Sequence, residues 1–117
     1  MTLHLDLETR STVDLRKTGV YVYAESPTTD VWCAAYAIDD GPIRLWTPGD
    51  KIPPDIIAVV MHGETIVAHN AAFERIIWKY ILGPRYGWPE PKLEQWRCTM
   101  AMSLAMALPG SLGEAAQ

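Results

Sequence analysis

The order of hydrophobic and polar positions predicts strands and helices that alternate along the chain. Residues 3–8 alternate leucine with polar residues, which is the period of two of a strand with one buried and one solvent-facing side. Residues 31–38 form a nearly continuous apolar run typical of a central strand, and residues 70–81 repeat apolar side chains at helical spacing. The predicted strands cover residues 3–7, 31–38, 42–46 and 65–68, and the predicted helices cover residues 53–62, 70–81 and 100–108.

Glycine, proline and capping residues indicate where these elements begin and end. The Asp-Asp-Gly sequence at 39–41 predicts a hairpin turn between two strands. Gly63 is placed to end one helix in the left-handed conformation, and Asn70 is placed to cap the next. The Gly-Pro pair at 83–84 is expected to stop that second helix. Residues 19–23 are interpreted as a short strand or as a loop that carries aromatic side chains.

The order of these elements predicts the fold class. Antiparallel strands come first and are followed by a helix, a strand and a helix, which is typical of an α/β sandwich with a mixed sheet. The ribonuclease H-like arrangement, with helices flanking such a sheet, fits this order. Because 117 residues are the length of one small domain, residues 1–117 are expected to form a single domain.

Composition and charge narrow the functional classes. A net charge of -4 argues against a protein that holds nucleic acid by a broad basic surface. It permits a nuclease whose acidic site reaches phosphate through a metal ion. Cys33 and Cys98 lack metal-site spacing; they could pair, but reduced thiols are favoured. Because neither a signal-peptide pattern nor an apolar run of membrane-spanning length is present, we expect a cytoplasmic protein with no membrane partner.

The tryptophans bear on whether nucleobases could stack on this protein. Trp32 and Trp78 lie in apolar patterns and are predicted to belong to the core. Trp88 and Trp96 flank a stretch at 83–96 that is interpreted as a loop, and truncation of the chain is expected to expose them. An apolar patch at that loop would favour association with another chain.

The first candidate site lies on the leading strand. Asp6 and Glu8 point to the same side and sit about 7 Å apart along the strand. Two like charges at that distance repel each other unless a proton or a cation lies between them, and a divalent metal held by oxygen ligands is a common solution. The alternative is a solvated strand face whose acids have no function.

The second candidate site lies at a strand-to-helix junction. Asn70 and Glu74 are four residues apart and share a helix face, and Glu74 lies in the first turn, where the positive helix end favours an anion. Simpler interpretations remain open for each residue. Asn70 is a good cap whatever the function, Phe73 fits a core position, and His69 fits an ordinary hydrogen-bonding role.

Both candidate sites resemble motifs of the DEDD 3′–5′ exonucleases. Residues 5–9 resemble their first motif, Asp-x-Glu, and residues 68–74 resemble their second, Asn-x-x-x-Asp, with Glu in place of Asp. The nearest resemblance is to the exonuclease-like domain of phage-type family A DNA polymerases. It extends over nearly the whole chain, including residues 13–15, 19–21, 23–25, 68–75 and 108–112.

This resemblance implies a metal-dependent 3′–5′ exonuclease that acts on the 3′ end of single-stranded DNA with two Mg²⁺ or Mn²⁺ ions. Asp6 would bridge both ions, Glu8 would bind the ion that carries the attacking water, and Glu74 would hold the ion at the leaving 3′ oxygen. The residues assigned by resemblance to substrate binding are Leu7, Thr9, His69, Asn70 and Phe73.

The chain also departs from the family pattern. The third motif, a Tyr or His followed by an Asp, lies downstream of the segment at 108–112, and the chain ends at Gln117 before it. Cys98 stands where relatives often carry an acid. We therefore expect a ribonuclease H-like fold truncated at its C-terminal end, with an incomplete site, as part of a phage or prophage polymerase. The alternatives are a non-catalytic module that binds nucleic acid or protein, and an oligomer that completes the site by self-association.

Overall fold

The computed structural model describes residues 1–99, and within them the chain forms one mixed five-stranded sheet. The strands are β1 (Thr2–Arg10), β2 (Asp30–Ile38), β3 (Arg44–Trp46), β4 (Thr65–Ala68) and β5 (Trp96–Cys98). Their order across the sheet is β3-β2-β1-β4-β5. Antiparallel pairing joins β1 to β2 and β2 to β3, whereas β4 runs parallel to both β1 and β5.

Helices flank this sheet. They are α1 (Leu15–Thr18), α2 (Val20–Glu25), α3 (Pro54–Met61), α4 (Ala71–Ile77) and α5 (Gly83–Tyr86), with a π-helical turn at Trp78–Leu82 and a 3₁₀ turn at Leu93–Gln95. The α/β prediction is confirmed, and the mixed sheet flanked by helices is consistent with a ribonuclease H-like fold. The predicted helix at 100–108 and the chain end lie outside the described residues. Within residues 1–99, no helix is both long and apolar enough to cross a membrane.

The alternation along β1 sets the two sides of the sheet. Leu3, Leu5 and Leu7 are buried in the hydrophobic core, whereas Asp6 and Glu8 are exposed on the opposite side, as the period of two predicts. The strand is longer than the predicted 3–7, because its pairing with β2 continues to Arg10. The side that carries the two acids is called the carboxylate face below.

A β-bulge in β2 changes the prediction for Trp32. Glu8 pairs with Cys33, but Thr9 pairs with Val31, so Trp32 is an extra residue opposite β1. Trp32 is 66% exposed, and its assignment to the core was wrong. Alternation alone could not reveal this, because the bulge inserts a residue into an otherwise apolar run.

The helix predicted at 70–81 continues further than the sequence indicates. It passes from α4 through the π-helical turn into α5, so the predicted stop at Gly83-Pro84 was wrong. The wider turn pairs the Gly83 N–H with the Trp78 carbonyl, five residues earlier, and thereby accommodates Pro84 without ending the helix. The chain leaves the helix at Gly87, which has a left-handed φ of 76°.

Residues 19–23 do not form a strand or a loop. Val20–Glu25 is helix α2, and it buries Tyr23 and Ala24 against the core. Valine and tyrosine favour strands in general, but here tertiary packing of one helical face overrides that preference. Gly19, with φ of 81°, separates α2 from α1.

Aromatic rings fill the core between the sheet and the α4–α5 helix. Trp88 packs edge-on between Trp46 and Trp78, with centroids 4.9 Å and 5.1 Å away, and Trp78 also contacts Trp96 at 5.6 Å. All four side chains are buried, so the expected exposure of Trp88 and Trp96 was wrong. The core assignment of Trp78 is confirmed. Residues 87–92 of the stretch at 83–96 are loop, as predicted, whereas Gly83–Tyr86 is helix α5 and Leu93–Gln95 is a 3₁₀ turn. Strand β5, which starts at the end of this stretch, was not predicted.

Replacing Trp78 by alanine should lower the free energy of unfolding by about 3–5 kcal/mol, because the buried ring contacts two neighbouring indoles and donates a hydrogen bond to the Pro89 carbonyl. Urea unfolding followed by circular dichroism measures this change. The matched control is Met61→Ala, which removes an exposed apolar side chain and should change stability by less than about 0.5 kcal/mol. Similar losses in both variants would contradict the assignment of Trp78 to the core.

Candidate functional site

The candidate site forms where β1 extends beyond its neighbour β4. The two strands pair only from Thr2 to His4 on β1, opposite Thr65 to Val67. β4 then ends at Ala68, while β1 continues for several residues, so part of its edge has no strand beside it. Helix α4 begins just after β4 and brings its first turn to this edge.

Glu74 provides the link between α4 and β1. Its Oε2 accepts a hydrogen bond from the Leu7 backbone N–H at 3.1 Å, which replaces the bond that a neighbouring strand would make. The Glu74 side chain is only 5% exposed. At the start of the helix, the Asn70 side chain accepts a hydrogen bond from the Phe73 N–H at 3.4 Å, so the predicted cap is confirmed.

The electrostatic state of Glu74 follows from its position. Burial raises its pKa from 4.5 to about 8, and the negative charges of Asp6 and Glu8 act in the same direction, while the Leu7 N–H opposes them. Glu74 therefore holds a proton at neutral pH in the metal-free protein. Asp6 and Glu8, the two other carboxyl groups that the sequence singled out, are thus close enough to influence the ionisation of Glu74.

Asp6 and Glu8 face solvent on the carboxylate face, and the neighbouring strand gives them room. Their partners on β2 are Ala35 and Cys33, whose side chains are small. A shallow depression lies beside Asp6 and is also lined by Ile43 of the loop before β3. A ligand approaching Asp6 therefore meets little steric obstruction from β2.

Tyr23, which the sequence did not single out as a site residue, contacts both Thr9 and Phe73. The Thr9 hydroxyl lies 2.8 Å from the hydroxyl of Tyr23, and the Tyr23 ring lies 6.3 Å from the ring of Phe73, centroid to centroid. Phe73 is half-buried against the core. The sequence predicts a strand or a loop at 19–23, but Tyr23 belongs to helix α2, which brings its side chain to the end of β1.

Leu7 and Thr9 belong to the opposite side of β1 from the two acids. The Leu7 side chain is buried in the core, and its contribution to the candidate site is its backbone N–H. Thr9 pairs with the buried Val31 and turns toward Tyr23. The strand thus offers carboxylates on one side and a hydroxyl on the other.

His69 and Cys98 connect the end of β4 to the end of β5. The His69 Nδ1 lies 3.1 Å from the Thr99 hydroxyl, and its backbone carbonyl accepts a hydrogen bond from the Cys98 thiol at 3.1 Å. The same sulfur accepts a bond from the Ala71 N–H at 3.4 Å. Cys98 therefore lies beside the start of α4, and no sequence signal indicated these contacts.

The fit of these residues to a metal ion depends on their arrangement and on their donor chemistry. Among residues 1–99, no three His, Cys, Asp or Glu side chains are already grouped so as to hold a metal. The donor set nevertheless fits, because carboxylate oxygens are the ligands that Mg²⁺ and Mn²⁺ prefer. Asp6, Glu8 and Glu74 supply this set, and the proton on Glu74 would have to leave for all three to bind as anions.

Comparison with known proteins relates the chain to a part of a phage DNA polymerase. No protein-family model matches it. It is 36% identical over 118 residues to the DNA polymerase of Bacillus phage SP02. The match covers 95% of this chain but only 17% of that polymerase, so the chain spans less than a fifth of the length of this relative.

Replacing Glu74 by glutamine should change how stability depends on pH in metal-free buffer. A carboxyl whose pKa rises on folding favours the folded state while it stays protonated, and that advantage is lost as pH rises from 4.5 toward 8. Glutamine is neutral at every pH and can still accept from the Leu7 N–H. Relative to wild type, Glu74→Gln should therefore gain stability between pH 5 and pH 8, by up to about 1.4 kcal/mol per pH unit.

Urea unfolding at pH 5, 6, 7 and 8 in EDTA measures this difference. The matched control is Glu94→Gln, which removes a carboxylate from the exposed 3₁₀ turn and should show no such trend. A difference between Glu74→Gln and wild type that stays constant with pH would contradict the raised pKa.

Proposed function

We propose that this chain is a metal-dependent 3′–5′ exonuclease-like domain that acts on the 3′ ends of single-stranded DNA, as part of a phage or prophage DNA polymerase. The observation that carries the proposal is the placement of Glu74. This buried acid is fixed to the backbone of β1 and coupled to the charges of Asp6 and Glu8. The similarity to a phage DNA polymerase supports the same proposal.

The chemistry of phosphodiester hydrolysis explains why three carboxylates would be needed. Negative charge develops on the attacking and the leaving oxygen, and bound Mg²⁺ or Mn²⁺ supplies the Lewis acidity that stabilises it. Asp6, Glu8 and Glu74 would hold the cation. The Leu7 N–H fixes Oε2 of Glu74, which leaves the other carboxyl oxygen available to a ligand.

The residues around the start of α4 would position the terminal nucleotide. His69 and Asn70 are exposed at the end of β4, where open α/β sheets commonly place their ligands. Phe73 presents part of its ring beside Tyr23, and Thr9 lies at the same end of β1. A sugar or base packed on Phe73 would lie beside these polar groups.

A second candidate function is a module that binds nucleic acid or protein without catalysis. The observation that favours it is that residues 1–99 contain no ready-made group of three metal-ligating side chains. In that case the protonated Glu74 serves as a structural hydrogen-bond acceptor for β1, and Asp6 and Glu8 are solvated acids. The two functions differ in a single measurable property, which is hydrolysis that depends on Asp6.

Wild-type protein with Mg²⁺ or Mn²⁺ should shorten a 5′-labelled single-stranded DNA oligomer from its 3′ end, producing a ladder on a denaturing gel. Asp6→Asn should lower the rate by about 100-fold or more, because a metal contribution of several kcal/mol is lost. Asp40→Asn, in the exposed turn after β2, is the matched control and should cleave like wild type.

Two outcomes would contradict the exonuclease proposal. The first is equal cleavage by wild type and Asp6→Asn, which would indicate a contaminating nuclease. The second is no cleavage by any of the three proteins in either metal, which would favour the binding module.

A further inference from the structure

The bulge in β2 determines where Trp32 lies. Val31 and Ala34 are both buried in the core, although two residues separate them, so Trp32 and Cys33 must both lie on the other side of the strand. Cys33 pairs with Glu8, whose side chain is on the carboxylate face. The bulge therefore places the indole of Trp32 on the carboxylate face, one residue from Cys33, the cross-strand partner of Glu8.

The exposure of Trp32 is unusual among the tryptophans of this protein. All five tryptophans lie in the part of the chain that the structure describes, and four are at most 8% exposed, whereas Trp32 is 66% exposed. Tryptophan is highly buried on average, because exposing an indole forfeits a large hydrophobic contribution. Bulges are also enriched beside active sites, where they redirect side chains. Core packing explains the other four tryptophans but not this one.

We infer that Trp32 is a stacking platform for a nucleobase of the single-stranded DNA whose 3′ end enters the carboxylate site. This inference rests on the proposed function and adds a substrate-binding residue to it. Base–aromatic stacking needs no basic surface and tolerates any base, because every base has a π-face. It therefore suits a chain with a net charge of -4 better than broad phosphate binding does.

Fluorescence quenching tests the inference directly, because acrylamide reaches an exposed indole and not the four buried ones. The measurements use Asp6→Asn as background, so that hydrolysis cannot consume the probe, a twelve-residue oligothymidylate. The oligomer should protect Trp32 from acrylamide. Affinity is read from the fluorescence anisotropy of a 5′-labelled oligomer, which does not need Trp32. Adding Trp32→Ala should weaken binding of the oligomer by about 5- to 150-fold, the range expected for the loss of one stacked base.

Matched variants separate stacking from other effects. Trp32→Phe keeps an aromatic face and should retain most of the affinity, and Met61→Ala removes an exposed apolar side chain from α3 and should leave it unchanged. An abasic oligomer of equal length keeps the phosphates but offers no base. It should bind equally weakly with and without Trp32.

Three results would overturn the inference. One is equal affinity of Trp32→Ala and its parent for oligothymidylate, and another is an equal loss on the abasic oligomer. The third is shielding of Trp32 that grows with protein concentration in the absence of DNA, since a second copy would then cover the indole. Failure of the proposed function is distinguishable, because it appears as absent Asp6-dependent cleavage and leaves the binding comparison intact.

Discussion

The hydrogen bond from the Leu7 N–H to the Glu74 carboxyl is the interaction on which the candidate site depends. β1 extends beyond the end of β4, so the Leu7 N–H has no neighbouring strand to accept its hydrogen bond. The Glu74 side chain of α4 accepts this bond at 3.1 Å. The bond fixes the distance between α4 and β1. It also draws Glu74 into a buried position near Asp6 and Glu8, where its pKa rises.

The sheet has a packed side and an open side around this bond. On the packed side, the helices lie against the leucines of β1 through Tyr23, Phe73 and the core tryptophans. On the open side, small β2 residues leave the acids accessible, and a bulge turns one indole outward. Buried packing thus positions the groups, and the exposed face is left for a ligand.

The chain is similar to a small part of a phage DNA polymerase. Only 17% of that polymerase is matched, so the similarity concerns the matched segment and not the activity of the whole polymerase. The exonuclease-like role proposed above would require a site that neutralises phosphate charge on a chain that is itself acidic. A carboxylate–cation cluster meets both conditions, since the cation bridges protein and phosphate.

The sequence by itself determined the alternation of β1, the cap at Asn70 and the helical face of α4, because each depends on local periodicity or on one side-chain bond. Only the tertiary structure decided the rest. The burial of Glu74 depends on where β4 stops relative to β1, and the exposure of Trp32 depends on pairing register across two strands. Both are set by contacts between residues far apart in the chain, which local patterns do not encode.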